Sequence, residues 1–119
     1  MKKNIKLGEK ELPFEANLGT TMLYQMLTGE NMFSQLTQYK GASPEKSIEV
    51  IDIYLRMAYV MNVQAESPDI KTMKSKMNDD SFLEWRCSFE MNDLTPAFIQ
   101  EISTLWASTQ KTTAQAKNS

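Results

Sequence analysis

"SIEVIDIYLRMAYVMNV", Ser47 to Val63, decides how this chain folds. Ile48, Val50, Ile51, Ile53, Tyr54, Leu55, Met57, Tyr59, Val60, Met61 and Val63 leave only a narrow charged stripe at Glu49, Asp52 and Arg56 when the stretch is wound as a helix. A helix apolar on nearly every side has to be covered on nearly every side, by the rest of its chain or by a second molecule. Counted from the start signal Ser43-Pro44, it runs about 20 residues and about 30 Å, the length of a whole small domain. It is therefore read as the central helix.

The other segments are read as what packs on that helix. Ile5, Leu7, Leu12 and Phe14 alternate with polar residues on either side of Gly8-Glu9, the period-two pattern of a β-hairpin over about residues 3–15. Pro13 cannot donate to a ladder, so its strand belongs at an edge. Three pairs, Ser43-Pro44, Ser67-Pro68 and Thr95-Pro96, combine a capping hydroxyl with a proline suited to the first helical position, and all three read as helix starts. After Thr95, the stripe Phe98, Ile99, Ile102, Leu105 and Trp106 gives one apolar helix face. Leu18 to Thr28 reads as a helix closed by Gly29, and a short helix from Asn31 to Tyr39 follows. Ile70, Met73 and Met77 indicate another. Phe82, Trp85 and Phe89 indicate one more, opened by Ser81 with Glu84 in capping-box spacing. The expected fold is mainly α with a small N-terminal β-hairpin, an α+β class: one domain over 1–106, then a polar, disordered tail over 107–119.

Composition removes several kinds of function. With 119 residues, 41% of them hydrophobic, the chain supports one ordinary core. Its 13 basic and 15 acidic residues leave a net charge of −2, which creates no field for phosphate backbones or anionic lipid, so neither nucleic acid nor membrane is expected as a partner. No apolar run approaches the roughly 20 residues that span a bilayer, and charges interrupt any signal-peptide pattern near the start. The single cysteine, Cys87, excludes an internal disulfide and is expected to be a small buried residue. Histidine is absent, which removes the commonest general base and metal ligand, and no phosphate loop, zinc or calcium spacing occurs. No catalytic residue, metal or cofactor is expected, and an enzyme is not. Asp79-Asp80 reads as capping for the following helix, Glu49/Asp52/Arg56 as a solvated intrahelical ion-pair stripe, and Lys71, Lys74 and Lys76 as a solvated face.

Methionine is the unusual component. Six of the nine fall in pairs four residues apart, Met22/Met26, Met57/Met61 and Met73/Met77, each pair sharing a helix face. Each pair can be irregular core, or can line a groove that repacks around varied apolar partners.

Three pieces together resemble the tail assembly chaperones of long, flexible-tailed bacteriophages and prophages: "FEANLGTTMLYQMLTGEN" (Phe14–Asn31), "SFLEWRCSF" (Ser81–Phe89) and "ISTLWASTQK" (Ile102–Lys111). At Asn31 the family pattern has Asp. The resemblance implies a non-enzymatic factor of the infected host's cytoplasm that coats or solubilises the helical tape-measure protein, helps recruit tail-tube protein, and is missing from the finished virion. It also implies a longer product made by ribosomal frameshifting, for which Ala116-Lys117-Asn118 can be encoded by a slippery adenine run. Candidate partner-binding residues are Met57, Met61 and Tyr54 on the central helix, with Met22 and Met26 as the second location; self-association through the central helix stays open. Two other readings stand beside this one: a small helical regulator or nucleic-acid-associated protein using the lysine cluster, and a structural tail-completion protein.

Overall fold

In the computed structural model, which describes residues 1–30 and 48–118, with side chains over 1–30 and 50–108, the alternating N-terminal segments form strands β1 (Lys2–Leu7) and β2 (Lys10–Glu15). They pair antiparallel, with Ile5 opposite Leu12 and Lys3 opposite Phe14. Gly8, at φ +68°, takes the first corner of the two-residue turn, a left-handed position that suits glycine. A Cβ there would also come to 2.5 Å from the Asp93 carboxyl, so the turn abuts the short 3-10 helix Met91–Asp93. Pro13 lies in a two-stranded sheet, the edge setting its missing N–H requires. Its carbonyl accepts a hydrogen bond from Asn62 Nδ2 at 2.9 Å.

Five helices follow among the described residues: α1 (Thr20–Thr28), α2 (Ile48–Glu66), α3 (Ile70–Ser75), α4 (Asp79–Arg86) and α5 (Pro96–Asn118). The fold is mainly α with an N-terminal hairpin, as expected. Helix α2 is its axis, with every residue from Met57 to Gln64 buried. The hairpin's inner face, Ile5, Leu7 and Phe14, covers α2 and α5 together, and Phe14 meets Phe98 edge-on at 6.0 Å. Ile102, Leu105 and Trp106 of α5 complete that side. On the other side, Tyr59 of α2 contacts Phe82 and Trp85 of α4 edge-on, each at 5.5 Å. An orphaned amide in this apolar axis would be costly, and Asn62 avoids it by bonding outward in two directions. It donates to Pro13 on one side and accepts from Trp85 Nε1 at 3.1 Å on the other.

The helix boundaries differ from the sequence reading where a better cap was available. Thr95 Oγ1 accepts from Phe98 N at 3.1 Å and opens α5 as expected. Helix α3, however, is capped by Asp69, whose carboxylate accepts from Thr72 N at 2.8 Å, while Ser67 Oγ is buried without a partner. The Asp69 carboxyl is held below its usual value by that backbone bond and lies fully exposed. Helix α4 is capped by Asn78 in place of Ser81, with Asp79 and Asp80 in the first turn, where the helix dipole favours carboxylates. Gly29, at φ +75°, ends α1, its N–H donating to Gln25 O at 2.7 Å. The expected helix over Asn31–Tyr39 and the start at Ser43-Pro44 lie outside the described residues; the backbone of α5 continues to Asn118, through the segment read as a disordered tail, whose side chains beyond Ser108 are not described.

Two charge and burial expectations are corrected. The expected intrahelical pair Asp52–Arg56 is present, but it is partly buried and extends beyond its own helix. Arg56 donates to Asp52 at 2.8 Å and to Asp79 at 3.1 Å, Arg86 donates to Asp52 at 2.6 Å, and the Arg56 guanidinium lies 4.5 Å over the Phe82 ring. The group thus joins α2 to α4. Burial alone would favour loss of the Arg56 proton, but the Asp52 and Asp79 carboxylates outweigh it and raise its pKa. Cys87 is exposed, not buried. It is the C-cap residue of α4, about 140° around the helix axis from Phe82, which faces the core.

Candidate functional site

Helix α1 carries two apolar stripes, and they point to different places. At about 100° per residue, Thr20, Leu23, Tyr24 and Leu27 fall together, while Met22 and Met26 fall on an adjacent flank. The first set is buried against α2. The second is open to solvent, Met22 at 68% and Met26 at 43% of full exposure.

A network of side-chain amides fixes this orientation. Gln64 on α2 is buried; its Oε1 accepts from Thr20 Oγ1 at 2.8 Å and its Nε2 donates to Asn17 Oδ1 at 2.6 Å. Asn17 Oδ1 also accepts from Gly19 N at 2.8 Å, and Asn17 N donates to Thr20 Oγ1 at 2.9 Å. The turn that leads into α1 and the first residue of the helix are thereby joined to one position on the central helix, which sets which stripe of α1 faces inward.

Met22 and Met26 form one wall of a groove of about 540 Å³; Ile70, Met73 and Lys74 of α3 form the other, with Leu23, Gln64, Asn17 and Gly19 between them. Ile70 is exposed to 70%. Leu18, in the turn before α1, is exposed to 75%. A volume of this size is typical of a ligand or side-chain binding cleft. Methionines in such a wall can change rotamer to fit different apolar shapes. The two amides of the floor are engaged with each other, so the groove offers chiefly apolar contact and one ammonium group. A second hollow of about 340 Å³, between α2 and α4, has a different character: Glu66, Glu84 and Lys76 line it beside Tyr59 and Trp85. There the Tyr59 hydroxyl donates to Lys76 O at 2.7 Å, and burial raises its pKa above the usual tyrosine value.

The five residues singled out in the sequence divide sharply. Met57 and Met61 have no exposed surface and are core, because α1, the hairpin, α4 and α5 leave no open face on that part of α2. They cannot line an accessible groove, and that expectation is corrected. Tyr54 is half-buried against the core. Met22 and Met26 are brought together, facing α3. Sequence reasoning did not pair them with Ile70, Met73 and Lys74. The available signal was the phase of Met22 and Met26, which is off the Leu23/Leu27 stripe.

Among the described residues no cluster of three or more histidine, cysteine or acidic side chains could hold a metal ion, and no helix is long and apolar enough to cross a membrane. No family model, curated protein or solved structure matches this chain.

Proposed function

We propose that this protein is a non-enzymatic tail assembly chaperone of a long-tailed bacteriophage or prophage, which binds apolar helical segments of the tape-measure protein in the host cytoplasm and keeps them soluble until tail-tube protein is recruited. The observation that carries the reading is the groove between α1 and α3, an exposed apolar cleft with two methionines on one wall and one on the other. Helix-in-groove binding suits such a cleft, and a methionine lining suits a client whose segments differ in sequence. Weak contacts repeated along one long client would act through avidity and still permit release as the tube polymerises. The resemblance of Phe14–Asn31, Ser81–Phe89 and Ile102–Lys111 to that family supports the same reading.

The test is co-expression with the tape-measure protein of the same genome. The wild-type chain is expected to keep the client in the supernatant, and Met22→Ser/Met26→Ser to leave it in the pellet. A client that is equally insoluble with and without the wild-type chain would sink the proposal. Mass spectrometry of purified virions is expected to find tube and tape-measure peptides but none from this chain.

A further inference from the structure

The groove is apolar in its walls but not symmetric in charge. Helix α1, TTMLYQMLT, carries no charged residue, and α3, IKTMKS, carries two lysines and no acid. On α3, Lys74 lies about 40° from Ile70 on the side away from Met73, and Lys71 lies farther around in the same direction. Passing around α3, the surface therefore changes from methionine through isoleucine to two exposed lysines. Of the acids nearest in sequence, Asp69 keeps its charge but is held on Thr72 N at the start of α3, and Glu66 lines the separate hollow between α2 and α4; neither lines the groove.

We infer that the occupant of the groove is an amphipathic helix whose apolar stripe lies between Met22/Met26 and Ile70/Met73 and whose Lys71/Lys74 side bears aspartates or glutamates. The inference rests on the groove being the client site and adds the chemistry by which segments are chosen. Apolar contact supplies most of the affinity, and the basic edge sets orientation and discriminates between clients. Along a long helical client, segments with acidic flanks are occupied first, and segments with basic flanks are left bare.

Three fluorescent peptides of about 18 residues test this, long enough to form isolated helix. They share one leucine stripe and carry glutamate, glutamine or lysine along the flank. Binding of the full chain is read by anisotropy at low and at high salt. The glutamate peptide is expected to bind about three- to ten-fold more tightly than the lysine peptide at low salt, with the gap closing at high salt. Lys71→Glu/Lys74→Glu is expected to reverse that order while the chain still unfolds cooperatively, since both side chains are exposed. Equal binding of all three peptides, abolished by Met22→Ser/Met26→Ser, overturns the charge inference while leaving the groove as the client site. Binding that this methionine variant does not weaken overturns both. A concentration-dependent dimer that the same variant dissociates overturns both in favour of a second copy as occupant.

Discussion

Met57/Met61 and Met22/Met26 have the same residue type, the same four-residue spacing and the same helical setting, yet one pair has no exposed surface and the other faces solvent. The difference lies in what surrounds each helix. Around α2, apolar residues occupy every direction but the narrow Asp52/Arg56 stripe, and the hairpin, α1, α4 and α5 converge on it. Around α1, the inner stripe of Leu23, Tyr24 and Leu27 already satisfies the core, so the methionine flank is surplus to folding. Methionine content therefore says little by itself about binding. An apolar stripe that is out of phase with a helix's own core stripe says more.

The largest effect is expected where the comparison treats methionine as core. Met61→Ala should destabilise the fold by about 2–5 kcal/mol, seen as a lower urea midpoint, because the surrounding side chains can only partly fill the space. A loss below about 0.5 kcal/mol would mean that α2 is not the closed axis described above. An intermediate effect is expected at the join between the two regions. Gln64→Ala removes the partner of Thr20 and Asn17 and should cost about 1–3 kcal/mol in the same titration. It should also weaken peptide binding, although Gln64 is one of the groove's buried floor residues, because α1 loses the contacts that set its rotation. Stability lost with binding intact would show that the amide network does not orient the groove. The smallest stability effect belongs to Met22→Ser/Met26→Ser, expected within about 0.5 kcal/mol of wild type because both side chains are exposed. Unfolding of this double variant at a clearly lower temperature would return both methionines to the core.

Much of the fold was legible in the sequence because its signals are local. The hairpin follows from alternation around Gly8, α5 from the Phe98-to-Trp106 stripe, and α2 from an apolar circumference broken only by a narrow charged stripe. Caps were less legible, since Asp69 and Asn78 competed with nearby serines that looked equally suitable. The polar residues of the core were not legible. Nothing in the sequence marks Asn62 and Gln64 as polar members of the core, because their partners Pro13 and Thr20 lie 49 and 44 positions away. The groove was hidden for the same reason. Its walls come from α1 and α3, and nothing within either segment states that they will face each other.

The bond from Asn62 to the Pro13 carbonyl has a consequence for the order in which the chain folds. An isolated two-stranded hairpin is marginal in water, so β1 and β2 depend on α2, yet the chain must close a loop of 49 positions to bring them together. That closure costs on the order of 3 kcal/mol of entropy before any contact repays it, while helices α2, α3 and α4 can meet over far shorter spans. The hairpin is then a late arrival in folding and an early departure in unfolding. Phe14→Ala should accelerate unfolding far more than it slows folding, a division read directly from the two arms of a chevron plot.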